Sequence, residues 1–98
     1  MEKKIVITKR FRNNTSVVYK YLLEEFSAKA AYHFLYQIEQ RIELIAKHPT
    51  IGKPSSKKKG IRSIILHPYN LIFYRYSNNT IEVLCLFDMR KQLGKKPY

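Results

Sequence analysis

Tyr69-Asn70-Leu71-Ile72-Phe73-Tyr74-Arg75-Tyr76-Ser77-Asn78-Asn79-Thr80-Ile81-Glu82-Val83-Leu84-Cys85-Leu86-Phe87-Asp88 is the stretch that decides the fold. Two runs rich in aromatic and β-branched residues flank Asn78-Asn79, a composition that reads as two strands joined by a tight turn. Asparagine tolerates positive φ, so the pair can close a two-residue hairpin. Centring the turn there sets a register. Ser77 faces Thr80, Tyr76 faces Ile81, Arg75 faces Glu82 and Tyr74 faces Val83. Continued outward, Phe73 faces Leu84, Ile72 faces Cys85 and Leu71 faces Leu86. This alignment pairs opposite charges at one rung and apolar groups at its neighbours, as adjacent strands require.

Upstream of the hairpin, β character begins at Ile61, and His67-Pro68 marks the preceding turn, because proline cannot sit in a central strand. Residues 50–60 read as a loop, punctuated by Gly, Pro and Ser and carrying three adjacent lysines that repel one another. Before it lies a helix. Ser27 is its expected N-cap, Ala31, Phe34, Ile38, Ile42 and Ile45 form its apolar stripe, Lys47 and His48 suit its last turn, and Pro49 stops it. A first helix of about 15 residues carries the stripe Phe11, Thr15, Val18, Leu22 and Phe26. The break between the two is short, which predicts an antiparallel helical hairpin. Residues 4–8 (Lys-Ile-Val-Ile-Thr) form a β-branched strand ahead of it. The expected fold is α+β, with the order β-α-α-β-β-β: a helical hairpin packed on a small antiparallel sheet. Residues 1–98 make one domain, a length that fits a single core.

Composition and charge narrow the function. Hydrophobic residues make up 45% of the chain, with 13% aromatic, so the chain has the apolar groups that disordered and linker-like chains lack. No apolar run is long enough to span a bilayer, and the short apolar stretch after Met1-Glu2-Lys3-Lys4 is too brief for a signal peptide. A single cysteine, Cys85, excludes an internally disulfide-stapled scaffold and fits a reducing cytosol. Nineteen Lys plus Arg against seven Asp plus Glu leave a formal charge of +12, which calls for an anionic partner. Glu24, Glu25, Glu39 and Glu43 gather on the helices. The bases form three clusters: Lys9, Arg10, Arg12 and Lys20; Lys53, Lys57, Lys58, Lys59 and Arg62; and Arg90, Lys91, Lys95 and Lys96.

Metal chemistry finds no support, because His33, His48, His67 and Cys85 lack ligand spacing; no metal and no cofactor is expected. Cys85 reads as a small core residue. Metal-free cleavage of RNA would need a base, an acid and cations on the phosphate. Lys57, Lys58, Lys59, Arg62 and Arg90 are the candidate cations, and His67, Tyr69 and Tyr98 the candidate proton carriers. Tyr74 and Tyr76 read as packing against the helix stripes, and Arg75 as the partner of Glu82. Arg90 has Asp88 two residues away on the same side of an extended chain, where the carboxylate can orient it.

The order of elements and several local patterns resemble the RelE/ParE family of bacterial toxins. They are Tyr21-Leu22 with Phe26-Ser27, Pro49-Thr50-Ile51-Gly52, Lys59-Gly60-Ile61-Arg62, Tyr69 through Arg75, and Phe87-Asp88-Met89-Arg90, covering nearly the whole chain. The resemblance implies a cytoplasmic bacterial toxin of a type II toxin–antitoxin system. It would be held inactive by a cognate antitoxin, with operator DNA bound only through the antitoxin complex and no membrane partner. RelE-like members cut messenger RNA on the ribosome, whereas ParE-like members poison DNA gyrase. Arg90 matches the basic residue at the end of the ribonucleases' last strand, and Lys57, Lys58 and Lys59 roughly match their loop lysines. Ile65 stands where their catalytic arginine is expected. Arg62, three residues earlier, lies on the opposite strand face, as in the ParE-like pattern, and Tyr98 is the residue available as a C-terminal tyrosine. The resemblance therefore implies a ParE-like inhibitor of gyrase, with Arg62, Arg90 and the 57–59 lysines contacting the target. The alternatives are a RelE-like metal-independent mRNA endoribonuclease using the same residues, and a non-toxic basic nucleic-acid-binding protein. An acidic or amphipathic antitoxin segment would fold into an apolar groove between helices and sheet.

Overall fold

β1 (Lys4–Ile7), α1 (Lys9–Glu25), α2 (Ala28–Lys47), β2 (Lys53–Pro54), β3 (Arg62–Leu66), β4 (Asn70–Tyr76) and β5 (Thr80–Asp88) follow one another in the computed structural model, which describes residues 3–90 and 96–98. The strands join in one sheet in the order β1-β5-β4-β3-β2. The helical hairpin covers one face of it, so the α+β architecture is as expected.

Each helix begins where a hydroxyl meets an orphan backbone N–H. Ser27 Oγ accepts from Ala30 N at 3.0 Å, as the sequence predicts. Thr8, read as the end of the first strand, is instead the cap of α1: its Oγ1 accepts from Phe11 N at 3.0 Å and donates to Leu84 O at 2.7 Å. That second bond fastens α1 to β5. It continues the pairing of β1, which runs parallel to β5 with Lys4 opposite Thr80 and Ile7 opposite Val83, where an all-antiparallel sheet was expected. Composition identifies a strand but not the direction in which it joins the sheet. The stripe of α2 packs as read, with Ala31, Phe34, Ile38 and Ile45 buried and Ile42 partly so. In α1, Phe11, Val18 and Leu22 turn inward, but Phe26 is 67% exposed, because it is the C-cap, where the helical period no longer holds.

The 50–60 segment contains β2, which pairs Lys53 with Ser63 and Pro54 with Arg62 at the sheet edge. Proline lacks the donor that a further strand would use, so it is tolerated there. The 78–79 hairpin forms in place, closed by Ser77 N donating to Thr80 O at 2.9 Å, yet no described residue other than glycine has positive φ. The expected register holds for Tyr76, Arg75 and Tyr74, opposite Ile81, Glu82 and Val83. A β-bulge then inserts Leu84, so Phe73 meets Cys85, Ile72 meets Leu86, Leu71 meets Phe87 and Asn70 meets Asp88. The correction has a simple cause. An unbroken register would pair Ile72 with Cys85, residues that face opposite sides of the sheet. The extra residue lets both Leu84 and Cys85 face away from the helices while Val83 and Leu86 face them.

Two cores result. Phe11, Phe34, Ile38 and Ile45 pack on Ile72, Tyr74, Ile81, Val83 and Leu86. On the far face Ile61, Leu71, Phe73, Leu84 and Cys85 form a second cluster, covered in part by Phe87, Met89 and Tyr98. Cys85 is a core residue as read, and burial pushes its thiol pKa up. Tyr74 is fully buried against the helices, but Tyr76 is 38% exposed, with Lys3 Nζ 5.6 Å from its ring centre. The helix stripes do not reach the hairpin tip where Tyr76 stands.

Candidate target-binding site

Past the end of β5, side chains still alternate. Phe87 and Met89 turn to the far core, while Asp88 and Arg90 share the opposite side. Arg90 Nε and Nη2 donate to Asp88 Oδ1 and Oδ2 at 3.1 and 2.8 Å, and Arg90 N donates to Oδ1 at 2.9 Å. The guanidinium also lies 4.2 Å from the centre of the Tyr69 ring. A planar fork held by two oxygens and stacked on an aromatic face has one favoured orientation. Yet the Arg90 side chain is 62% exposed, so the group is aimed while remaining accessible. The Asp88 hydrogen bond raises its pKa further, and it is charged at any working pH.

Arg90 stands at the rim of a groove of about 340 Å³ between the helical hairpin and the turn before β4. Leu22, Phe26 and Phe34 give the groove an apolar floor, and His33, His67 and Tyr69 line it. A second concavity of about 360 Å³ opens on the other side of Arg90, between α1 and β5.

The loop lysines lie elsewhere. Ser55 Oγ accepts from the backbone N–H groups of Lys57 and Lys58 and donates to the main-chain oxygen of Tyr98. Lys57 Nζ donates to Lys96 O at 2.9 Å. The Tyr98 ring rests on Phe73 at 5.4 Å, with Arg10 and Lys58 each 6.0 Å from its centre. Lys58 and Lys59 share a concavity with Arg75, Tyr76 and Tyr98. Arg90 flanks Asn70 at the start of β4, whereas these lysines flank its other end, roughly 17–20 Å along the strand. Parts of all three basic clusters thus meet around Tyr98, without Arg90. Lys91 and Lys95 lie outside the described residues.

Arg62 joins neither group. Its Nη1 donates to Thr50 O at 3.1 Å and to Gly52 O at 2.8 Å, tying down the segment after α2. Beside it the buried Tyr74 hydroxyl donates to Pro49 O at 2.7 Å and accepts from Gly52 N at 2.9 Å. Burial raises the pKa of that phenol. Ile65 is 45% exposed on β3, opposite Leu71. Arg75 and Glu82 pair at 2.6 Å, as the register implied. Among the described residues no three His, Cys, Asp or Glu side chains come together as a metal site. Sequence reasoning treated Tyr69 as a proton carrier and missed its place beneath Arg90. The signal was the strand pairing itself, hidden by the bulge that carries Asn70 opposite Asp88.

Comparison with known proteins places this geometry. A family model described as the ParE toxin of the type II toxin–antitoxin system parDE matches residues 5–93. The chromosomal ParDE toxin–antitoxin system of P. aeruginosa contains a chain of the same fold, at 13% identity and a TM-score of 0.75, covering 89% of this chain and 96% of that one. A YoeB/ParE toxin from Agrobacterium tumefaciens is 17% identical with a TM-score of 0.63, over 87% and 96% of the two chains. A chain of the E. coli DinJ-YafQ toxin–antitoxin complex is 10% identical with a TM-score of 0.66, over 96% and 100%. No curated sequence matches significantly. The family match spans both helices and the sheet from Ile5 onward, past Asp88 and Arg90, and the chain belongs to the ParE toxin family of type II toxin–antitoxin systems.

Proposed function

We propose that the chain is a ParE-like toxin that inhibits DNA gyrase by binding it, without catalysing a reaction, and that Arg90 is its principal contact residue. One observation carries this reading: the Arg90 guanidinium is already neutralised by a two-pronged ion pair with Asp88. A phosphate would have to compete with that carboxylate. A protein surface offering carbonyls or an aromatic ring can instead add to the remaining donors and the stacked face. Dispersal of the other candidates supports the same reading. Arg62 is held on main-chain carbonyls, and the 57–59 lysines lie at the far end of the sheet. The lysines are secondary contacts on a separate surface, and Arg62 supports the fold.

The ribonuclease alternative has one observation in its favour, since His33, His67, Tyr69 and Arg90 line a single groove. Imidazole, phenol and guanidinium are the groups that metal-free RNA cleavage uses. In the ParE-like reading this groove receives the cognate antitoxin. An amphipathic segment buries apolar anchors on Leu22 and Phe34, while its acids meet the basic rim. Toxin and antitoxin would meet in the bacterial cytoplasm.

The test is tightly induced expression with protein and DNA synthesis followed separately for the first minutes. An early replication block with translation intact, and gyrase supercoiling inhibited by the purified protein, is the expected result. Immediate collapse of translation with cleaved messenger RNA overturns this reading in favour of the nuclease.

A further inference from the structure

The buried stripe of α2 accounts for one side of the helix; the other carries a pattern that neither the core nor the groove uses. Lys29, Tyr32, Tyr36, Glu39 and Glu43 are all exposed and recur at spacings of three and four, a continuous stripe opposite Phe34, Ile38 and Ile45. Tyr36 is 58% and Tyr32 63% exposed, with Leu35 beside them, and Tyr19 of α1 extends the aromatic patch through a ring contact with Tyr32 at 6.5 Å. Such a patch on a small chain with +12 overall needs an occupant that the charge permits.

We infer that this stripe is a two-fold interface on which a second copy of the chain docks, α2 against α2 and antiparallel, with Tyr36 on the dyad. The arrangement of charge points to that occupant. Lys29 and Glu43 lie seven residues on either side of Tyr36, two helical turns away and on the same face. An antiparallel pairing centred on Tyr36 therefore sets Lys29 of each copy against Glu43 of the other. The pattern complements itself, which is what an isologous interface demands. Tyr36 meets its own symmetry mate, and Tyr32 lies along the edge that carries Glu39 of the other copy, so rigid aromatic area fills the centre while charges set the register. From Lys29 to Glu43 the helix offers roughly 21 Å of contact length. Charge also favours this helix over its neighbour. The chain carries 19 bases and seven acids, but α2 carries three bases (Lys29, Arg41 and Lys47) against two acids (Glu39 and Glu43). Of the two helices it is the less basic, since α1 carries four bases (Lys9, Arg10, Arg12 and Lys20) against two acids (Glu24 and Glu25). This inference stands apart from the gyrase reading, because it does not use Arg62, Arg90 or the loop lysines.

Charge exchange tests it on the purified full-length chain by sedimentation velocity over a concentration series. Lys29→Glu and Glu43→Lys each place like charges opposite one another twice in the homodimer. Each should weaken self-association at least roughly tenfold. Both changes suit the helix itself, an acid entering the first turn and a base approaching the last, so lost dimer cannot be ascribed to a weakened fold. Mixing the two variants is the decisive arm. In the mixed dimer one contact joins the carboxylate introduced in the first variant to the ammonium introduced in the second. The other contact keeps a native Lys29 against a native Glu43, so both are attractive and the mixture should regain the wild-type dimer. Tyr36→Cys should form an intermolecular disulfide under mild oxidation, since the native Cys85 is buried and does not compete. A wild-type chain that stays monomeric throughout the series, single variants that associate like wild type, or a mixture that stays monomeric would each overturn the proposal.

Discussion

Arg62 and Arg90 look alike in the sequence: each borders a strand, and each belongs to a basic cluster. Their surroundings differ in kind. Arg62 Nη1 donates to Thr50 O and Gly52 O, carbonyls of the segment that leaves α2. Arg90 is held at the surface by a carboxylate and a tyrosine ring, with its outer face open. The first arrangement satisfies the fold's own acceptors, and the second presents a charged group to something else. An arginine is thus assigned by the acceptors the fold sets around it, and the two regions can be separated by measuring stability and growth inhibition side by side.

The largest effect is expected at Gly52, in the Arg62 region. A Cβ added there would stand 2.6 Å from Tyr74 Oη and 2.8 Å from Ser63 O, and the backbone oxygen cannot yield. Gly52→Ala should cost about 3 kcal/mol, a fall in Tm of roughly 15 °C by calorimetry. A midpoint unchanged within 2–3 °C, on the same roughly 5 °C per kcal/mol scale, would mean that this segment is not locked. Tyr74→Phe comes next. It leaves Pro49 O and Gly52 N buried without their shared hydroxyl, at about 2 kcal/mol in urea unfolding. Its pH dependence carries a sign. Burial raises the Tyr74 pKa above 10.0, so above pH 10 the unfolded chain releases this proton first. The wild type's advantage over Tyr74→Phe should be full below pH 10 and shrink above it. An advantage that grows with alkali sinks this account. Arg62→Ala should cost about 1 kcal/mol, with growth inhibition falling only as far as folded protein does. Complete loss of inhibition at an unchanged midpoint would move Arg62 into the Arg90 class.

Local chemistry made much of the fold legible. The apolar stripe of α2, the Ser27 cap and the 78–79 hairpin rest on interactions within a few residues, which periodicity and capping chemistry reveal. What stayed hidden depends on long-range contact. The direction of β1 shows only in its pairing with β5, extended by the Thr8 hydroxyl bond to Leu84, 76 residues on. The bulge at Leu84 reflects which sheet face is covered by helices, a property of the assembled sheet. The candidate site was legible as a list of residues but not as a place. Asp88 beneath Arg90 could be read from i, i+2 alternation, whereas the Tyr69 stack and the separation of the loop lysines depend on that shifted register.

Arg90→Ala should have the smallest effect on the fold and, if the gyrase reading holds, the largest on growth inhibition. The guanidinium is mostly solvated, and its partners lose little. Asp88 at 24% exposure can be hydrated, and the Tyr69 ring keeps its other packing. The thermal midpoint should therefore stay where it is while inhibition of supercoiling is lost. Asp88→Asn separates aim from charge: it keeps Arg90 but weakens the fork, so inhibition should weaken without vanishing. If Asp88→Asn instead strengthens RNA binding, the freed guanidinium recognises phosphate and the neutralised pair had been concealing a nuclease-like surface. If Arg90→Ala lowers the midpoint as far as Arg62→Ala does, both arginines are structural, and the target contact must lie among Lys57, Lys58 and Lys59 at the other end of the sheet.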